Sequence, residues 1–578
     1  MQEFGISRRK LLAIGAVASG AAAMPAWARG SHRGALARKG SDVLSGEHLT
    51  MTVADASYAT GNRHGPAVTV NGTIPGPLLR LKEGQDLTVD LVNRSSMDTS
   101  IHWHGLLVPF LMDGVPGVTM AAVEPGERFR YRFPIRQAGT YWWHAHTMQE
   151  PMGHYGPIII DPAGGDPHQV DRDYIVMLTD WSPMHPHVIM KKLKVGEAPF
   201  NYQKTAASDK YPLSGEERRM WARMRMMPTD IADVSAPLYT YLINGHGPED
   251  GLEFAFNPGE RVRLRFINGS AMTFFNVRIP GLPMTVIAAD GQDVRPIEVD
   301  EFQIGNAETY DVIVEPSGSD AFAIVAEAMD RSGMGIAMLA SRAGARSAVP
   351  PLRDPPLLTM ADMGMNHADM DHGSMAGMDH GPAAQMDMGS MSMRDTALLP
   401  PSVKVGPGLD MVSMNPVDRM GDPGIGLTEV DHRVLNYKQL VSAKMNRDMR
   451  RPTRLKEIHL TGNMERYMWS FDGKKFSAVT DDPIRFAFNE RVRIKLVNDT
   501  MMAHPIHLHG HFFELVNGAP HGHQPLKHTL IVQPGGSAQF DLTANEPGDW
   551  AFHCHLMYHM HSGMFQVVTV RPLQGGEG

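Results

Sequence analysis

The chain has 578 residues, a net charge of −9, 42% hydrophobic and 20% charged residues. That balance is ordinary for folded soluble domains and excludes wholesale disorder. The acidic excess also excludes the electrostatic footprint of a nucleic-acid binder. A single Cys cannot form an intramolecular disulfide, whereas 42 Met and 28 His are an unusual supply of metal-binding side chains. At about 150 residues per domain, the length predicts three or four domains.

The chain opens with Ser7-Arg8-Arg9-Lys10, an apolar run from Leu11 to Ala23, and Ala26-Trp27-Ala28. A basic start, an apolar centre and a small-residue end describe a cleavable export signal over residues 1–28. The Arg pair indicates the twin-arginine route, which carries folded cargo to the periplasm. No other segment reaches the ~18 apolar residues of a membrane span, so no membrane insertion is expected.

Three segments then repeat: Gly84 to Asn93, Gly259 to Asn268 and Asn489 to Asn498. Each alternates apolar and polar residues after a turn, which predicts half-buried strands. A second repeat links only the outer copies. Val123-Glu124-Pro125-Gly126 leads to His144-Ala145-His146, and Val532-Gln533-Pro534-Gly535 leads to His553-Cys554-His555. Short strands and Pro-Gly turns predict an all-β chain of three Greek-key sandwiches, at 45–165, 170–345 and 425–573. Between the last two lies an insertion, 348–424. Its centre, Met360 to Met393, holds ten Met, three His and five Asp. It lacks the periodicity to bury a core and is expected to be a mobile loop. The Met220, Met224, Met226 and Met227 group reads as gap-filling core.

Four histidine motifs stand out: His102-Trp103-His104, His144-Ala145-His146, His504-Pro505-Ile506-His507-Leu508-His509, and His553-Cys554-His555 followed by His559 and Met564. Residues i and i+2 of a strand share a face, so each His-x-His pair can aim two imidazoles at one point. The outer domains each supply two pairs, which predicts an eight-imidazole cluster between them on an approximate two-fold axis. In the middle domain Val277 and Ile279 stand where a pair would be, so that domain reads as a spacer. Cys554 points away from its flanking His residues, toward His504, His559 and Met564. Two imidazoles, a thiolate and a thioether are the ligand set of a blue copper site. The equivalent positions in the first domain are Thr99, Ala145, Glu150 and Tyr155, so only the third domain can build this centre. An electron accepted there could reach the cluster through His553 and His555. His511, His521, His523 and His528 find no role and are expected at the surface or just behind the ligands.

These motifs resemble those of the multicopper oxidases, the laccase and ascorbate oxidase superfamily with three cupredoxin-like domains, over essentially the whole mature chain. With the twin-arginine signal and the Met-rich insertion, the resemblance narrows to bacterial periplasmic copper-resistance oxidases. It implies four copper ions. His504, Cys554, His559 and Met564 would hold type 1 copper, and His102 and His507 type 2. His104, His144, His146, His509, His553 and His555 would hold the type 3 pair. Asp113 resembles the family acid that assists proton delivery. The acid that some relatives carry after the second type 1 His is replaced here by Met560, which puts a proton route from that side in doubt.

The implied activity is oxidation of Cu(I) to Cu(II), with O2 as the other substrate and water as its product. Candidate Cu(I) sites in the insertion are Met363, Met365, His367, Met370, His372, Met375, Met378 and His380. A periplasmic copper chaperone is a candidate partner, and a monomer is expected. The rival readings are a laccase-like phenol or catechol oxidase and a copper-sequestering protein with incidental turnover. An exported relative that has lost its coppers is disfavoured by the intact ligand set.

Overall fold

The computed structural model describes residues 35–572 apart from 197, 204–212, 225, 360, 365–392 and 476–482. The export signal therefore lies outside the described residues. Successive thirds of the chain each build one six-stranded and one five-stranded sheet, six sheets in all. This is the expected all-β architecture of three cupredoxin-like sandwiches.

The repeated segments form equivalent strands, Asp86–Asn93, Val262–Asn268 and Glu490–Asn498. Each pairs in parallel with the long strand that opens its six-stranded sheet: His48–Thr60, Arg172–Trp181 and Arg454–Asn463. Their alternation buries one face. In His48–Thr60, for example, Met51 and Val53 are buried between more exposed neighbours.

The Asn that ends each repeat explains why the pattern persists. Asn93 Nδ2 donates to the carbonyls of Met97 and Val123, both at 2.8 Å. Asn268 Nδ2 donates to Thr273 and Ile304, and Asn498 Nδ2 to Met502 and Val532. Each Asn Oδ1 accepts from the backbone N–H two residues on, at Ser95, Ser270 and Thr500. All three are fully buried, where unpaired backbone groups are costly. The latch fixes the loop leaving the six-stranded sheet, and that loop delivers the next strand to the five-stranded sheet. In the outer domains those next strands are His102–His104 and His504–Leu508; in the middle domain it is Phe275–Arg278.

The insertion is less loop-like than its composition predicts. Met363 and Met393 are buried in the core shared by the second and third domains, with Met411 and Met420. Asn415 N–H donates to Gly364 O at 2.9 Å, and Val412 N–H to Met393 O at 2.7 Å. Of the Met-rich centre, Met360 to Met393, the described end residues Met363 and Met393 thus fill core space, and 365–392 lie outside the described residues. The two ends also lie against one short segment. Replacing 365–392 by a short Gly-Ser linker is expected to leave the thermal midpoint within about 2 °C of the parent. A cut that also removes Met363 and Met393 should lower it by roughly 5 °C or more, as two buried Met side chains are lost. Equal midpoints for the two deletions would refute this core role of Met363 and Met393.

Candidate metal centres

Strand register brings the histidine motifs together. His102 stands opposite His144, and His507 opposite His553, in antiparallel pairs. The two halves then interleave: His102 stacks on His509 and His104 on His507, each with ring centroids 3.8 Å apart. Exchanging residues between domains by the sequence repeat converts one stack into the other. The pairs His146–His553 and His144–His555, at 5.0 and 5.1 Å, are related in the same way. The expected two-fold cluster of eight imidazoles is present, and all eight are buried.

The hydrogen bonds fix which nitrogen of each ring is free. His102 Nδ1 faces Asp113 O at 2.9 Å, and His144 Nδ1 faces Ala145 O at 3.0 Å. His507 Nδ1 faces His528 O at 2.7 Å, and His553 Nδ1 faces Cys554 O at 3.0 Å. His509 Nδ1 faces Asp113 Oδ2 at 2.8 Å. Carbonyl and carboxylate oxygens only accept, so these Nδ1 atoms carry the hydrogen and each Nε2 presents a lone pair. Those lone pairs converge: His509 Nε2 is 2.9 Å and His146 Nε2 3.3 Å from His553 Nε2. His102 Nε2, His104 Nδ1, His144 Nε2, His507 Nε2 and both His555 nitrogens have no hydrogen-bond partner. Facing buried lone pairs suit a cation. Protonation is opposed by burial and by the neighbouring imidazoles, which push His104, His144, His146, His507, His509 and His555 well below the ordinary value. The donor set therefore fits metal ions.

Asp113, buried beside His102 and His509, is held by a turn that only Gly114 can close. Gly114 has φ +84°, and a Cβ there would meet Ile101 O at 1.8 Å. Glu150 Oε2 lies 2.9 Å from His144 Nδ1. Burial and Asp180 push its carboxyl well above the usual range. Sequence alignment of the domains placed Glu150 only as the partner of His559 and missed this contact. His528, expected at the surface or just behind the ligands, takes the second place, buried against His104 and His507. His511 is buried behind His509, whereas His521 is exposed and His523 half-buried.

The second centre forms around Cys554 at the end of strand Gly548–Cys554 and helix Met557–Ser562. Cys554 Sγ lies 3.6 Å from His504 Nδ1 and 4.0 Å from His559 Nδ1, which are 3.3 Å from each other. The outer nitrogens are anchored: His504 Nε2 to Thr500 Oγ1 and His559 Nε2 to Asp233 Oδ2, both at 2.7 Å. Trp469 stacks on His559 at 3.8 Å. Met564 is fully buried, and its carbonyl accepts from Cys554 N–H at 3.1 Å. Burial pushes the Cys554 thiol up, so its thiolate needs a cation. Among the described residues, every such His and Cys group comes from the outer domains.

Family models of the multicopper oxidases match residues 52–164, 172–343 and 449–574. A copper resistance protein A homolog of Pseudomonas syringae pv. tomato is 46% identical, with 92% of this chain and 93% of that protein covered. The chain belongs to the multicopper oxidase family. Copper resistance protein A of Escherichia coli is 44% identical, over 91% of this chain and 93% of its own. Among solved structures, Fet3p, a multicopper oxidase that functions in iron import, shares the fold with a TM-score of 0.63 at 18% identity. That match covers 91% of this chain and 90% of the other. This multicopper oxidase is thus an oxidoreductase whose histidine centres suit copper.

A small cleft, with room for about 40 Å³, adjoins the Cys554 centre through Thr500. Met226, Met227, Met411, Met464 and Met501 line it with Asp230, Asp410, Glu465, Asp499 and Thr500. Met226 and Met227, read as core filler, face this cleft. Of the methionines and histidines proposed for the insertion, Met365, His367, Met370, His372, Met375, Met378 and His380 lie outside the described residues. Met363 is fully buried in the core, whereas Met411 and Met501, although nearly as buried, reach the cleft.

Burial holds His553 down at about 3 and His528 at about 4. Unfolded, each titrates near 6.5, so below that pH the unfolded chain binds more protons. The metal-free protein is expected to be most stable above about pH 6.5 and to lose stability as pH falls toward 4. Copper loading should shift that loss to lower pH, because metal competes with protons for the same nitrogens. Thermal melts of metal-free and copper-loaded protein from pH 7.5 to 4 would show it, and a flat metal-free profile would contradict it.

Proposed function

We propose that this chain is a periplasmic copper-tolerance oxidase that oxidises Cu(I) to Cu(II) at the expense of O2. Four Cu(I) lose one electron each, and one O2 takes four electrons and four protons to give two waters. His504, Cys554, His559 and Met564 would hold a type 1 copper; His102 and His507 a type 2 copper; His104, His144, His146, His509, His553 and His555 a type 3 pair. When bound, these four coppers supply the one-electron steps and the O2-binding site. Export by the twin-arginine route fits a protein that must acquire its metals in a folded state.

The observation that carries the reading is the cleft of five methionines and several carboxylates beside Thr500. Thioethers are soft donors that favour Cu(I), and carboxylates favour the more highly charged Cu(II) that must leave. From the cleft, Thr500 reaches His504 directly. On the other side, Asp233 orients His559 and also accepts from Tyr467 Oη at 2.8 Å. The chain itself manages protons near the cluster. Asp113 holds His509 Nδ1–H, and its second oxygen lies 3.3 Å from His102 Nδ1. The Glu150 carboxyl beside His144, raised well above the usual range by burial, is a second acid close to the cluster.

A phenol-oxidase reading has less room in the structure. A second, mostly apolar cleft that reaches Met502, Ala503 and Leu556, with Tyr241, Met272 and Phe274 in its walls, holds only about 20 Å³, less than an aromatic ring needs. Asp330, at its edge, is pushed up to about 6 by burial.

Two measurements test the assignment. Cys554→Ser is expected to abolish the intense blue absorption and turnover while leaving the cluster's copper, since a hydroxyl cannot replace a soft thiolate; a blue mutant would end the type 1 reading. Met464→Leu with Met501→Leu keeps apolar volume but removes two thioethers. It should lower kcat/KM for Cu(I) roughly tenfold and leave phenol oxidation within about twofold, measured by O2 consumption. An equal effect on both substrates would transfer preference to the phenol reading. Cu(I) retained by the parent without O2 uptake would favour sequestration.

A further inference from the structure

The middle domain donates no metal ligand, yet one of its carboxylates reaches the trinuclear cluster through the third domain. Asp290 is fully buried, at left-handed φ +47° after strand Met284–Ala289. Its Oδ2 accepts from the backbone N–H groups of His528 and Thr529, both at 3.1 Å. Its Oδ1 accepts from Thr309 N–H and pairs with Lys527 Nζ at 3.0 Å. Lys527 is completed by Glu308 at 2.9 Å, and Glu308 accepts from Tyr437 Oη at 2.6 Å.

The segment so held does two things. His528 O accepts from His507 Nδ1–H at 2.7 Å. Thr529 Oγ1 lies 3.3 Å from His104 Nε2, 3.3 Å from His507 Nδ1 and 3.1 Å from His528 Nδ1. His104 is thus turned so that Nδ1, not Nε2, is its free nitrogen. The other rings with assigned hydrogens present Nε2. One ligand from the first domain and one from the third therefore take their orientation from two adjacent residues, 528 and 529.

Resting on the reading of the histidine cluster as a copper centre, we propose that Asp290 and Thr529 are positioning residues for it. Asp290 fixes the 527–529 backbone, and the Thr529 hydroxyl sets the ring orientation of His104. Groups that orient ligands in this way commonly change metal affinity or activity by about 10- to 100-fold when removed. A buried ionic cluster spanning two domains is suited to such register-setting, since each partner is costly without the others.

Thr529→Val keeps shape and removes only the hydroxyl; Thr529→Ser restores it. Asp290→Asn removes the charge that Lys527 requires. Purified holoenzymes would be compared by copper per chain, the type 2 electron paramagnetic resonance spectrum, the near-ultraviolet band of the type 3 pair, blue absorption and O2 uptake. Thr529→Val is expected to perturb the type 2 and type 3 signatures and slow O2 uptake at least tenfold, with blue absorption unchanged. Thr529→Ser should return all of these to the parent values. Asp290→Asn should lower cluster copper while retaining type 1 copper. Parent-like cluster signatures in both Thr529→Val and Asp290→Asn would overturn the inference, as would a Thr529→Ser variant as impaired as Thr529→Val. Failure of the copper reading itself is separate: the parent would then carry no copper beyond the type 1 ion.

Discussion

The structure depends on buried lone pairs that face one another. His509 Nε2 and His553 Nε2 stand 2.9 Å apart, yet each ring has already committed its hydrogen on the other side. In water such an arrangement would relax by rotation or protonation. Here stacking across the domain boundary blocks rotation and burial disfavours charge. The fold thereby stores a demand for cations at a defined place, and metal binding becomes part of the stability of the domain interface.

That demand explains how labour is divided among the domains. The outer two carry the imidazoles because strand alternation projects each His-x-His pair from one face. The stacks His102–His509 and His104–His507 form only between the two domains, so the eight-imidazole cluster needs both, whereas the Cys554 centre lies within the third alone. The middle domain, expected to be a spacer, holds the assembly by its carboxylates. Asp233 anchors His559, and Asp290 anchors the strand beside His507. Arg265, also from this domain, donates to Thr140 at 2.7 Å, four residues before His144. Domain duplication left this copy without ligands, but it frames both centres.

The repeats made most of this legible in the sequence. A repeated Asn can be recognised from its spacing, and the structure shows it as the latch that launches each ligand-bearing strand. The histidine pairs were legible because two metal ligands at i and i+2 are rare except where they share a face. Glu150, Asp233, Asp290 and His528 were not. Single acidic residues and lone histidines are common, and these acquire meaning only through partners up to several hundred positions away. His559 meets Asp233 across 326 residues. The insertion was half legible: its composition marks the segment, but composition cannot show that Met363 and Met393 turn inward to fill a core.

The outer domains are not equivalent around the second centre. Where the third domain has His504, Cys554, His559 and Met564, the first has Thr99, Ala145, Glu150 and Tyr155. The vacated space is filled by uncharged polar groups: Thr99 Oγ1 donates to Gln149 Oε1 at 2.6 Å, and His154 Nδ1 lies 3.0 Å from the same oxygen. With no thiolate there, a second one-electron centre cannot form on that side. Glu150, freed from any ligand role, turns its carboxyl to His144. The cluster therefore has the Cys554 thiol behind it, between His553 and His555, and the Glu150 carboxyl beside His144. Divergence of a duplicated domain has left a thiol at this position in one copy and alanine in the other.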